Sequence, residues 1–157
     1  MIDPQLSPSW NPLVNALHEG ETVLRGVQLP GANLQGTQIP FMTLVDANLQ
    51  DADLTDAFMP GVSLIRARLT RAKLVRINLI GADLLRSDLH RANLYRSLVS
   101  GAFMVGVNLS GANLQEATLS GTKLCGANLR GSNLRGVNLQ GAALRGGPPP
   151  WGLPMPG

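Results

Sequence analysis

Apolar residues recur along this chain with a period of five. From Leu24 to Leu144 every fifth residue is leucine or a substitute, and over 25 units only Ile39, Met59, Val99 and Met104 replace it. Two residues ahead of each stands a short side chain, as at Ala47, Ala52, Ala57, Ala67, Ala72, Ala82 and Ala92. Between the two lies a polar residue, most often Asn or Asp, in triplets such as Ala32-Asn33-Leu34 and Ala52-Asp53-Leu54. Five residues advance an α-helix by about 500°, so successive leucines would stand roughly 140° apart and share no face. An unbroken strand fails as well, because five is odd and every second leucine would point to water. The pattern is satisfied if the chain bends by about a right angle after each unit. The short residue and the leucine then both point inward, and four units close a square turn of 20 residues. Each turn stacks about 4.8 Å above the last through β-type hydrogen bonds. The predicted architecture is an all-β solenoid.

Glycine fills the last position of 14 of the 25 units, where a tight corner favours a residue that tolerates positive φ. The two ends depart from the register. Residues 1–21 contain Asn11-Pro12-Leu13-Val14-Asn15-Ala16-Leu17-His18-Glu19-Gly20, which predicts a helix over about 11–19. In it Asn11 is the N-cap, Pro12 the first helical residue and Gly20 the stop. With Leu13, Val14 and Leu17 on its apolar face and Trp10 beside it, this segment is expected to cap the open end of the solenoid. The domain plan is therefore a cap over 1–21, a solenoid over 22–146, and a Gly/Pro-rich tail or plug over 147–157. Five prolines in that last segment lack the N–H that would extend a ladder.

The run from Thr22 to Gly146 resembles the pentapeptide repeat family, whose pattern is written A(D/N)LXX. The resemblance implies a right-handed quadrilateral β-helix of just over six turns. It implies little about activity, because the fold is a scaffold. One subset of the family protects DNA gyrase from topoisomerase poisons by imitating duplex DNA with an acidic, dimeric rod. Charge argues against that role here, since 13 Lys and Arg against 10 Asp and Glu leave a net charge of +3 and a pI near 9.8. No stretch is long and apolar enough for a membrane span, and no secretory signal is evident at the N-terminus, so a cytoplasmic location is expected. The single cysteine, Cys125, can form no internal disulfide.

Any function must then lie on outward positions, and the 20-residue turn sorts these into axial columns. The position after the leucine on the first side reads Arg25, Val45, Ile65, Leu85, Val105, Cys125, Arg145. Val45, Ile65, Leu85 and Val105 are the candidate apolar partner surface. A second apolar region gathers Pro40, Phe41, Phe58, Pro60, Ile80 and Leu98. The last position of each unit carries charge: Asp46, Asp51 and Asp56 on one turn, Arg66, Arg71 and Arg76 on the next, Arg86, Arg91 and Arg96 on the third. The six arginines are the candidate basic partner surface, with exposed Asp–Arg ladders as the purely structural alternative.

Catalysis has little to work with. His18 and His90 lie in different settings, no His/Cys/Asp/Glu set has metal-ligand spacing, and the glycines follow the corner rule instead of a phosphate-loop or dinucleotide spacing. No cofactor is expected. Nucleic acid is disfavoured, because the basic collar wraps three sides and Tyr95 is the only tyrosine. The expectation is a noncatalytic scaffold or regulatory protein of bacterial type that binds a protein of unidentified kind or a second copy in a homodimer. A gyrase-protecting protein and a self-assembling structural rod are the alternatives.

Overall fold

A computed structural model describes residues 12–145. Across these residues the chain makes the same tight turn at the end of every unit. The C=O of Leu79 accepts the Ala82 N–H at 3.0 Å, and Leu84 and Leu89 repeat the link to Ser87 and Ala92 at the same distance. The third residue of each turn has positive φ, from 53° at Arg86 to 70° at Gly126, as in a type II turn. That requirement explains the glycines of the repeat. It also makes eleven non-glycine residues unusual, among them Asp46, Asp51, Asp56, Glu116 and six arginines, each held left-handed at a cost of about 1 kcal/mol.

Turns stack in register. Parallel bridges join residues 20 apart without a gap, from Val23 with Thr43 to Lys123 with Ala143. Each unit is tied both ways: the Asp83 N–H donates to Val62 C=O below at 2.9 Å, while the Leu84 and Arg86 N–H groups donate to Phe103 and Val105 above at 2.7 and 2.9 Å. Four sides result, whose central residues begin at Val23, Gln28, Asn33 and Gln38. The predicted square solenoid is the observed fold.

Inside, the leucines form four axial columns. Leu64, Leu84, Met104 and Leu124 line the first side and Leu49, Leu69, Leu89 and Leu109 the second, all essentially without exposure. The short residues are equally enclosed, and Met42, Val62, Ile77 and Val107 occupy that position where a larger side chain fits. In the last described turn Leu134, Leu139 and Leu144 are only half-buried. Hydroxyls at the short position turn back to the chain: Thr37, Ser87 and Thr122 donate to the C=O of Leu34, Leu84 and Leu119 at 2.7 to 2.8 Å. Ser97 is the exception, with a buried Oγ that has no hydrogen-bond partner.

The Asn and Asp of the repeat have a local task. Asp83 Oδ1 accepts the Leu85 N–H at 3.0 Å, and Asn93, Asn108 and Asn128 accept from Tyr95, Ser110 and Arg130 at 3.2 Å. An Asx oxygen thus satisfies the first N–H of the corner, which the stacked ladder leaves unpaired. Amides also stack along a side, as where Asn133 donates to Asn113 and Asn113 to Asn93 at 3.2 and 3.1 Å.

Helix α1 spans Pro12–Glu19. Its C-terminus is closed by Gly20 at φ 74°, with Gly20 N–H to Leu17 C=O at 3.3 Å and Glu21 N–H to Ala16 C=O at 2.8 Å, the paired bonds of a Schellman motif. Leu13 and Ala16 are buried in the same core as the solenoid leucines, and Leu17 packs against it. These residues place α1 against the solenoid core. Trp10, Asn11, the side chains of Val14 and His18, and the predicted Gly/Pro tail beyond Arg145 lie outside the described residues.

Candidate functional site

The candidate residues stand at the corners of the square, at the two positions after each leucine, and on its sides, at the position before it. Corners that join the first side to the second carry the expected apolar stripe, and burial corrects part of it. Val45 is buried at 5% exposure, Ile65 and Leu85 are half-buried, and only Val105 reaches 37%. Cover at this position differs from corner to corner, since Ile80, second in its own turn, is 44% exposed. The stripe is less accessible than its outward register suggested, and Val45 is no exposed contact residue.

Exposed apolar surface lies around the adjacent corner, where the fourth side meets the first. Phe41 is 75% exposed, Phe58, Ile80 and Leu98 are each a little over 40%, and Phe103 on the first side is 51%. Phe58 and Leu98 share the fourth side, while Phe41 and Ile80 occupy the corner that follows it. The Phe41 ring covers Gly61, where an added Cβ would stand 2.5 Å from the ring. Glycine there gives the aromatic its seat.

The charged columns are the most ordered feature of the surface. Asp46, Asp51 and Asp56 each take a bidentate grip from the arginine 20 residues on: Arg66 at 2.7 and 2.7 Å, Arg71 at 2.8 and 2.7 Å, Arg76 at 2.7 and 2.6 Å. These hydrogen bonds hold the three carboxyls below the ordinary aspartate range and keep the guanidinium protons more firmly in place. At Asp53 partial burial pushes the other way, and hydrogen bonds with Thr55 and Gln35, together with the charge of Lys73 at 3.5 Å, outweigh it. The three Asp–Arg pairs are solvent-exposed, so they order the surface more than they stabilise the fold.

The six arginines expected to form one collar therefore divide. Arg66, Arg71 and Arg76 are matched from below. Arg96 is matched from above, its Nε 2.6 Å from Glu116, while its guanidinium lies 5.0 Å from the Tyr95 ring. Glu116 was not singled out from the sequence, although it stands 20 residues beyond Arg96 in the same column. Among the described residues, Arg86 and Arg91 have no carboxylate within ion-pair distance. Asp83 and Asp88, the acids of that stretch, serve elsewhere: Asp83 caps Leu85, and Asp88 accepts from the His90 N–H at 3.0 Å, Asn108 at 2.9 Å and Thr70 at 3.1 Å.

Among the described residues no group of three His, Cys, Asp or Glu side chains is placed to hold a metal ion. His90 Nδ1 lies 2.8 Å from Ser110 Oγ, which donates to Asn108 at 2.7 Å, and this short chain runs along a stacked corner without any cleft. No described helix is long and apolar enough to cross a membrane.

A four-sided coil of five-residue units with an Asx-capped corner defines a right-handed quadrilateral β-helix. The family model for pentapeptide repeats matches residues 44–79, 72–111, 87–124 and 112–147, in 8 copies, and this chain belongs to that family. Solved structures agree. A pentapeptide repeat protein from Nostoc PCC 7120 is 27% identical, with a TM-score of 0.53 over 82% of this chain and 93% of that one. A pentapeptide repeat protein of the Arabidopsis thaliana thylakoid lumen is 25% identical with a TM-score of 0.51, over 75% of this chain and 65% of the other, so the present chain spans just under two thirds of its length. The plasmid-mediated fluoroquinolone resistance protein QnrB1, at 21% identity and a TM-score of 0.52 over 76% of this chain and 71% of that one, shares the fold. No curated protein matches the chain at a significant level.

Proposed function

We propose that this pentapeptide repeat protein is a noncatalytic scaffold or regulatory protein whose rod presents a rigid surface to a protein partner. The observation that carries this reading is the concentration of exposed Phe41, Phe58, Ile80, Leu98 and Phe103 around one edge of an otherwise polar rod. Side chains of this size on a fixed ladder form a preorganised apolar strip, and single aromatic anchors of this kind dominate protein interfaces. The half-buried Ile65 and Leu85 with Val105 form a narrower strip on another edge, suited to a secondary contact or to a second copy. Gyrase protection is disfavoured by the positive net charge. A reaction would need a cleft or a cluster of titratable groups, and the described surface is made of flat sides and stacked corners.

The test is quantitative affinity capture from the native host, with Phe58→Ser/Leu98→Ser as control. Both side chains leave the fourth side outward, so the variant should melt like the parent. A protein captured by the parent and lost with the variant supports the reading. Identical capture by both refutes the Phe58 edge as the contact surface.

A further inference from the structure

Three corner columns of the rod follow one rule and break it in two places. They read Gly26, Asp46, Arg66, Arg86, Gly106, Gly126; then Gly31, Asp51, Arg71, Arg91, Gly111, Gly131; then Gly36, Asp56, Arg76, Arg96, Glu116, Gly136. In every column the lower arginine is matched by the aspartate beneath it. In the third, Glu116 matches the upper arginine as well, at 2.6 Å. In the first two columns the place of Glu116 is taken by Gly106 and Gly111, and among the described residues Arg86 and Arg91 have no ion-pair partner.

The stems of these two arginines lie against the glycines of the next turn, with Cγ of Arg86 and Arg91 3.4 and 3.2 Å from where a Cβ on Gly106 and Gly111 would stand. Above them the corners are bare for two turns, Gly106 with Gly126 and Gly111 with Gly131. The side between them is neutral there, built from Asn108 and Asn128. Exposed Arg68, Lys123 and Arg130 add positive charge around this shelf. Asp83 and Asp88 are the acids that face it, and their described hydrogen bonds go to backbone, Asn108 and Thr70. Arg86 and Arg91 also occupy left-handed backbone, φ 53° and 55°, where the same columns elsewhere use glycine. Arg66 offsets that strain with its bond to Asp46, whereas among the described residues Arg86 and Arg91 have no ion pair to offset it.

We propose that Arg86 and Arg91 form a binding site for an acidic segment of a partner protein, whose carboxylates complete the two columns as Glu116 completes the third. The site deepens the protein-interaction reading by giving a partner its chemistry, and it lies on the second side, opposite the Phe58 edge. The two corners are separated by one extended side, roughly 10 Å, and long arginine stems converge readily on acids two residues apart in an extended peptide, about 7 Å. Glycine corners let a peptide backbone approach closely, and bidentate guanidinium–carboxylate pairing is the geometry this surface already uses at three successive corners. Nucleic acid fits less well, because Tyr95, the only tyrosine, is engaged with Arg96 at the next corner.

The experiment measures fluorescence anisotropy of a labelled synthetic peptide with Glu at alternate positions, titrated with the full chain at low and physiological salt. The parent should bind, and Arg86→Ala/Arg91→Ala should weaken binding by about tenfold or more. Arg66→Ala/Arg71→Ala removes the same net charge from arginines already paired and should change it less than about threefold. Gly106→Glu/Gly111→Glu supplies internal carboxylates at corners like that of Glu116 and should abolish binding; if it does not fold, the arginine variants decide alone. Equal losses in the two arginine variants would reduce the effect to net charge and overturn the site, as would a parent that does not bind at low salt. A single-stranded oligonucleotide of matched charge that binds more tightly, with the same dependence on Arg86 and Arg91, would overturn the acidic-protein assignment. Phe58→Ser/Leu98→Ser should leave peptide binding unchanged, so failure at one surface is distinguishable from failure at the other.

Discussion

Truncating Leu89 to alanine probes the whole structural argument at one position. Leu89 is fully buried on the second side, stacked between Leu69 and Leu109, which are equally buried. The change removes three carbons, about 2.4 kcal/mol of transfer free energy at ~0.8 kcal/mol for each buried methylene. A cavity term adds to that where the surroundings cannot collapse. Here they are held apart, because the Leu89 N–H donates to Asn108 C=O at 2.7 Å and the Leu69 N–H to Asp88 C=O at 2.7 Å, which fixes the turns at their spacing. The expected loss is about 3 to 4 kcal/mol. Leu134→Ala, in the half-buried last described turn, should cost about 1 to 2 kcal/mol by the same reasoning. Urea unfolding followed by far-UV circular dichroism measures both, and Leu89→Asp should prevent folding altogether. Equal losses at Leu89 and Leu134, or a loss below about 1 kcal/mol at Leu89, would refute a core held rigid by its ladder.

Ser97→Ala should leave stability unchanged or raise it, because the Ser97 hydroxyl is buried without a partner, while Ser87→Ala should lower it by about 1 kcal/mol through loss of the bond to Leu84; paired thermal melts compare them. Gly121→Ala should cost about 1 kcal/mol although its Cβ would have room, since the nearest atom is 4.0 Å away and only φ 67° opposes it, which chemical denaturation would register. Asp46, Asp51 and Asp56 titrate below their unfolded value of 3.8, so their contribution is present above that pH and is lost as pH falls through the folded values. A melting temperature level from neutral pH to about 4 and falling below it is expected, and Asp→Asn at all three should flatten that fall. In a purified supercoiling assay the chain should neither inhibit gyrase nor rescue it from a quinolone, given its net charge of +3.

The fold was almost wholly legible because the period of five leaves one geometry that keeps Leu24 to Leu144 out of water. The corner glycines were legible for the same reason: a turn with positive φ at its third residue names its residue type. Two features were less so. Asn and Asp looked like ladder residues, and their main bond instead caps the corner two residues on, as from Asp83 to the Leu85 N–H. The position after the leucine looked outward because a strand alternates, yet a corner breaks alternation and tucks Val45 and Leu85 against the stack. Counting charges over a stretch of sequence also missed that Arg96 is answered by Glu116, 20 residues away but one turn above.

In a repeat this regular, information about partners resides in departures from the repeat. Every unit can be built with glycine at its corner, and Gly61, Gly81, Gly101, Gly121 and Gly141 show the rule along one edge above Phe41. An arginine at the same φ costs backbone energy, so its retention calls for a compensating interaction. Arg66, Arg71, Arg76 and Arg96 have one inside the chain. Arg86 and Arg91 have glycine where the carboxylate would stand, and Phe41 takes the same strained backbone to lay a 75% exposed ring over Gly61. The two surfaces proposed to meet other proteins are thus the places where the rod accepts left-handed non-glycine residues without an internal ion pair to offset them.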